Sequence, residues 1–145
     1  MLLGQYRLFL DDDRQVVLPE TFRKQFEDGA YITRGFEQNL LIMSEKEFQE
    51  ICKRVAGLNI ADPLARLLQR LILGNASKLE PSASGQICLP QDLLSFAGLE
   101  KDIVLVGQGD YCEAWAPEYW DKQTTILLDA AANSARFAQL DLALC

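Results

Sequence analysis

The densest cluster of reactive side chains in the sequence is Asp11-Asp12-Asp13. Neighbouring carboxylates suit a hard divalent cation. The spacing of a calcium loop, with acids at alternate positions, a central glycine and a closing glutamate, is not met. A polar turn between Leu8-Phe9-Leu10 and Val16-Val17-Leu18 accounts for the triplet, because aspartate hydrogen-bonds its own downstream backbone. Arg66 and Arg70, one helical turn apart, have the spacing of a phosphate clamp or subunit contact, but such a pair more often forms a solvated helix face, here pairing with Asp62. The sequence contains no histidine, which removes Ser-His-Asp and Cys-His nucleophiles, imidazole bases and His-ligated metals together. Thr124, Thr125 and the scattered serines therefore have no base to activate them. Glycine-rich phosphate loops are also missing, since Gly107-Gln108-Gly109 is too short to form one. The expectation is a non-enzyme with no catalytic residue, metal, cofactor or small-molecule substrate.

The four cysteines, Cys52, Cys88, Cys112 and Cys145, have neither C-x-x-C nor metal-ligand spacing. They read as small buried apolar residues, with Cys145 a terminal thiol, in a reducing cytosol. Trp115 and Trp120 read as core or subunit-contact residues. With 145 residues, 49% apolar and 24% charged, the chain has the make-up of a soluble globule. No basic leader precedes a long apolar core, and no apolar run approaches the roughly 18 residues of a membrane span. A cytoplasmic protein without a membrane partner is expected. The net charge of −7 stands against a nucleic-acid partner, but it is unevenly spread. Residues 1–74 hold ten Lys and Arg against eleven Asp and Glu, and residues 75–145 hold four against ten. Any surface for DNA therefore falls to the first half, where Arg7, Arg14, Arg23, Lys24 and Arg34 are available.

The elements that must position these residues come as a repeat. Gln15-Val16-Val17-Leu18-Pro19 returns as Gln86-Ile87-Cys88-Leu89-Pro90, 71 residues later. A short helical pattern follows each proline, over 20–26 and 91–97, and Gly98 suits the left-handed position after the second. Then come strand-like runs, Ala30-Tyr31-Ile32-Thr33 and Ile103-Val104-Leu105-Val106, each followed by a turn beginning at Gly35 or Gly107. Second runs, Leu40-Leu41-Ile42-Met43 and Cys112-Glu113-Ala114-Trp115, lead into helices at Phe48 and Trp120. The spacing predicts two copies of one module, each too small to bury a core alone, interleaved in a single barrel. The boundaries are 5–47 for the first module, 48–75 for a helical linker, 76–119 for the second module and 120–145 for a helical tail.

Within the linker, Ser44-Glu45-Lys46-Glu47 is a capping box and Phe48, Ile51, Cys52 and Val55 form one apolar stripe. Gly57 ends that helix. Asp62-Pro63 opens the next, with Leu64, Leu67, Leu68, Leu71 and Ile72 as its apolar face and Arg66, Gln69 and Arg70 opposite. After Pro117 a third, alanine-rich helical pattern runs toward Gln139.

Three separated stretches resemble the MraZ family. They are the opening Met1-Leu2-Leu3-Gly4 with Leu10-Asp11 and Val16-Val17-Leu18-Pro19, the linker from Arg66 to Ala76, and Val104-Leu105-Val106-Gly107-Gln108 with Glu113-Ala114-Trp115. The resemblance covers residues 1 to about 122. It implies an α+β fold: two tandem SpoVT-AbrB-like swapped-hairpin modules forming a small pseudo-symmetric β-barrel with helices packed outside. It further implies a ring-shaped homo-oligomer, associated with the nucleoid, that binds double-stranded promoter repeats and regulates a cell-division and cell-wall gene cluster.

The family's modules each carry an Asp-x-x-x-Arg motif whose arginine touches DNA. Here the first motif reads Asp11 to Gln15 and the second Ser82 to Gln86, so both arginine positions are glutamine. Glutamine lacks the charge and fork of arginine, although it can pair with adenine. The DNA-contact candidates are therefore Arg14, Gln15, Arg7 and Gln86, and binding is expected to be weak and salt-sensitive. The alternative is a ring-forming scaffold with weakened or lost DNA binding.

Overall fold

The structure, a computed structural model, describes residues 1–140. Cys145 and the last residues of the expected 120–145 tail lie outside the described residues. Among the described residues eight strands form in chain order: β1 (Gln5–Phe9), β2 (Gln15–Val17), β3 (Ala30–Arg34), β4 (Leu40–Ser44), β5 (Ser77–Leu79), β6 (Gln86–Cys88), β7 (Asp102–Gly107) and β8 (Tyr111–Trp115). Six helices accompany them within the described residues: α1 (Glu20–Arg23), α2 (Glu45–Ala56), α3 (Pro63–Ile72), α4 (Gln91–Ala97), α5 (Pro117–Leu127) and α6 (Ala130–Phe137). A 3-10 turn over Lys24–Phe26 continues α1. The class is α+β, and none of the described helices is long and apolar enough to cross a membrane.

The strands make a six-stranded antiparallel sheet in the order β1-β7-β8-β4-β3-β5, and a separate ribbon of β2 with β6. Each module's first strand is therefore an edge strand paired to the third strand of the other module. Tyr6, Arg7 and Leu8 face Leu105, Val104 and Ile103. Their repeat counterparts Ser77, Lys78 and Leu79 face Ile32, Tyr31 and Ala30. Two register pairs join residues that are one another's repeat counterparts, Val16 with Ile87 in the ribbon and Leu41 with Glu113 in the sheet. An approximate two-fold axis thus runs through the centre of both.

Strand alternation assigns the two faces of the sheet. Ala30, Ile32, Leu40, Ile42, Ile103, Leu105, Cys112 and Ala114 point inward, against Val16, Ile87, Leu18, Leu89 and the helical residues Phe22, Phe26, Leu93 and Leu94. All of these are buried. The buried set draws on both halves of the chain, and the pairing of β1 with β7 and of β5 with β3 joins them around one core. On the outer face, Leu41 and Met43 pack with Ile72, Ile51 and Leu68, whereas Val104, Val106, Trp115 and Trp120 form a smaller cluster.

The caps follow the sequence closely. Ser44 Oγ accepts from Glu47 N at 3.3 Å, and Asp62 Oδ1 accepts from Leu64 N at 2.9 Å with Pro63 next to it. Gly98 has φ +68° after α4. Asn75 Nδ2 donates to Leu71 O at 2.9 Å, and Thr33 Oγ1 donates to Ile72 O, which ties the end of α3 to the sheet.

Four expectations need correction. The helical pattern after Pro117 is broken at Leu128, and Asp129 starts α6 afresh by accepting from Ala132 N at 3.1 Å. The apolar face assigned to α3 is split. Ile72 is buried against the sheet, Ala65 is buried and Leu68 half-buried, but Leu64 and Leu67 are 72% and 61% exposed. Arg66 does not pair with Asp62 but donates through Nη1 to Ile60 O at 2.8 Å. Cysteine burial is also uneven, since Cys112 is fully buried while Cys88 is exposed on the ribbon. Desolvation, with the charge of Glu113 beside it, pushes the Cys112 thiol far up.

Candidate nucleic-acid interface

Two matching turns enter the ribbon. In the first, Arg14 N donates to Asp11 O at 3.1 Å and Asp11 N to Gln15 O at 3.0 Å. The Asp11 carboxylate accepts from Asp13 N at 2.9 Å and Gln15 N at 2.8 Å. In the second, Gly85 N donates to Ser82 O at 2.9 Å, Ser82 N to Gln86 O at 3.0 Å, and Gln86 N to Ser82 Oγ at 3.0 Å. The aspartate triplet is thus a turn. No group of three or more acidic, cysteine or histidine side chains is placed to hold a metal among the described residues.

The fourth residue of each turn is left-handed, Arg14 at φ +61° and Gly85 at φ +80°. Arg14 is the only non-glycine residue with positive φ among those described, a conformation that costs an ordinary side chain about 1–2 kcal/mol. The chain then crosses between modules. Leu18 N donates to Gly85 O and Leu89 N to Arg14 O, both at 2.8 Å.

Register decides what the ribbon displays. Val16 and Ile87 oppose each other and are buried, so Gln15 with Cys88 and Val17 with Gln86 oppose each other on the outward face. These four side chains form a two-by-two patch, with the glutamines on one diagonal. Arg14 stands at one end of the ribbon, next to Gln91 and Lys101. The structure therefore brings Arg14, Gln15 and Gln86 together.

Arg7 is placed elsewhere. Its neighbour Tyr6 packs edge-on against Phe22 on the inner side at 5.1 Å between ring centroids. Arg7 consequently faces outward, in a recess with Gln5, Val104 and Trp120. Trp120 Nε1 donates to Gln5 Oε1 at 3.3 Å, so that recess belongs to the packing of α5 on the sheet. Arg34 is held over the Phe96 ring, 4.4 Å from its centroid.

Sequence reasoning counted Arg23 among the basic residues available to DNA but gave it no place at the ribbon. It donates from Nε to Leu18 O at 3.0 Å, and it lines a recess with Lys24, Ser82 and Gly85 at the other end of the ribbon. Periodicity could not reveal this, because Arg23 belongs to the first module and the turn it meets belongs to the second.

The motif residues Gln108, Glu113 and Trp115 are joined to one another by hydrogen bonds. Glu113 accepts from Asn39 Nδ2 at 3.0 Å, Gln108 Nε2 at 3.0 Å and Trp115 Nε1 at 3.2 Å. Asn39 is fully buried, so the carboxylate fastens the β3–β4 turn to the β7–β8 turn. The same carboxylate adds to desolvation in raising the Tyr111 hydroxyl.

A family model described as "MraZ protein, putative antitoxin-like" matches residues 1–71 and again 72–141. A relative from Thermomicrobium roseum named "Transcriptional regulator MraZ" is 34% identical over 139 residues, covering 96% of each chain. One of the same name from Herpetosiphon aurantiacus is 36% identical over 135 residues, 93% of this chain and 92% of that one. A third, from a Roseiflexus species, is 32% identical over 139 residues, 96% of this chain and 95% of its own.

Proposed function

Since the chain belongs to the MraZ family, we propose that it is a transcriptional regulator that reads double-stranded DNA with the ribbon of β2 and β6. One observation carries this reading: a two-stranded antiparallel ribbon presents Gln15, Val17, Gln86 and Cys88 on one outward face with Arg14 at its end. A two-stranded ribbon fits the major groove, and glutamine pairs there with adenine N6 and N7. Arg14 supplies a phosphate contact that positions the ribbon without reading sequence. The two modules, 5–47 and 76–119, act as a swapped-hairpin pair with a barrel-like core, each donating one glutamine to the shared face.

The working form is a ring-shaped homo-oligomer in the cytoplasm, associated with the nucleoid and acting on promoter repeats upstream of division and cell-wall genes. Leu64 and Leu67, exposed on α3, support self-association. So does an apolar recess of about 260 Å³ between Phe36, Leu41, Met43, Ile51, Leu68 and Tyr111. A ring multiplies weak contacts through effective concentration.

Fluorescence anisotropy at 50 mM salt, on a duplex carrying direct repeats from upstream of the chain's own coding region, tests the reading. Saturable binding that Arg14→Ala weakens is expected, and equal affinity of parent and variant removes the role given to Arg14. The second reading, a ring-forming scaffold that no longer holds DNA, is favoured by glutamine at both motif arginine positions and by the −7 net charge. No DNA retention at 50 mM salt, with an intact ring by light scattering, establishes it instead.

A further inference from the structure

We infer that the second phosphate contact of the ribbon is Arg23, supplied by the first module to the turn of the second. The inference rests on the DNA-reading proposal above and concerns which residue completes it. The two ends of the ribbon are built from equivalent parts, each consisting of a turn with a left-handed fourth residue and the first helical turn of the other module. At one end these parts are Arg14 in the turn and Leu94 on α4, which line a common recess. At the other they are Gly85 in the turn and Arg23 on α1. Arg23 and Leu94 are repeat counterparts, as are Arg14 and Gly85, each pair 71 residues apart. Each end therefore holds one arginine, taken from the turn at one end and from the helix at the other.

Sterics make the two solutions mutually exclusive. A Cβ built at Gly85 collides with Arg23 Nε and lies 2.7 Å from its Cδ and 2.9 Å from its Cγ. No side chain can stand at position 85 while Arg23 occupies that space. At the first turn the helix offers Leu94, only 2% exposed and buried in the core, which leaves the turn's outer side to Arg14. Arg23 is fixed by its Nε bond to the Leu18 carbonyl, at the residue that follows Val17 of the ribbon. A side chain already ordered loses less freedom when it meets a ligand. Although Glu20 and Glu27 line the same recess, neither forms an ion pair with Arg23 among the described residues, where the one such pair is Lys53 with Glu50. Arg23 and Lys24 together match the two carboxylates in charge, and neither cation is held in an ion pair among the described residues. An arginine at each end of a ribbon laid in the major groove meets the phosphates on either side of the bases that the glutamines read.

The test is a salt titration of DNA affinity on the assembled protein, using a fluorescein-labelled 60-bp duplex from upstream of its own coding region. For Arg23→Gln, the slope of log K against log salt is expected to shrink by about 0.9 for each subunit engaged. Arg23→Lys is expected to retain the parental slope, because it retains the charge. A purely structural role lowers the melting temperature of both variants and leaves both slopes parental, which overturns the inference while the DNA-reading proposal stands. Absence of binding by the parent overturns both. Phenylglyoxal labelling of the unmodified protein, read by mass spectrometry, requires no variant to fold. Saturating duplex is expected to protect Arg23 and Arg14 and to leave Arg54 labelled. Arg23 labelled equally with and without DNA is a second overturning result.

Discussion

The turn at 11–14 and the turn at 82–85 share one hydrogen-bond plan and differ in how each fills its fourth position. The first uses an aspartate carboxylate to bind two backbone N–H groups, and the second a serine hydroxyl to bind one. The first places an arginine where φ is +61°, and the second a glycine where φ is +80°. The backbone alone would prefer glycine at both. What separates them is the neighbour across the module boundary, Leu94 at one turn and Arg23 at the other. A repeat whose copies pack against each other is thus freed from strict symmetry. Each position answers to its partner in the other module more than to its own counterpart.

The largest effect expected from breaking this comparison is Gly85→Ala. The left-handed backbone costs an alanine about 1–2 kcal/mol, and displacing Arg23 loses its bond to Leu18 O, about 1 kcal/mol more. Urea denaturation should register a total of about 2–3 kcal/mol. In an Arg23→Ala background only the backbone part should remain, so the two changes should be non-additive. Equal cost in both backgrounds would show that Arg23 does not shape that turn.

Next in size is Glu113→Ala, which probes the other point on the pseudo-two-fold axis. Its counterpart and register partner is the apolar Leu41, so the Asn39 bond is made from one side alone. Removing the carboxylate leaves a buried amide donor unpaired, at a cost of about 1–3 kcal/mol. Thermal melting and the near-ultraviolet signal of Trp115 measure it. An unchanged melting temperature would show that the two hairpin turns are held by packing alone.

The smallest change expected has the opposite sign. Arg14→Gly removes the positive-φ penalty and should stabilise the fold by about 1 kcal/mol or less, since glycine also loses more entropy on folding. The same variant should weaken DNA binding. Denaturation and anisotropy on one preparation therefore distinguish a residue kept for contact from one kept for folding. A variant that is less stable than its parent would assign Arg14 a structural role.

Much of the fold was legible because it depends on neighbours in sequence. The paired strand-Pro-helix units, the Ser44 and Asp62 caps and the two hairpins all rest on interactions within a few residues. Gln15 and Gln86 on the ribbon were legible from the same local pattern. The split of α3 was not, because Leu64 and Leu67 have the helical spacing of a buried face and only the position of the sheet shows which leucines it covers. Arg7 and Arg14 flank the same turn in sequence, whereas alternation along β1 turns Arg7 to the outer face of the sheet, away from the ribbon.

The sequence by itself determined the two modules, their class, their family and the absence of imidazole chemistry, all of which follow from residue types and spacing. Tertiary structure alone decided which residues share a surface. Strand β1 pairs with β7 and β5 with β3, while Arg23 of α1 and Leu94 of α4 each line a recess with the turn of the other half. Contacts more than sixty residues apart leave no periodic trace in the chain. The arginine that completes the second turn is therefore visible only once the two halves are folded against each other.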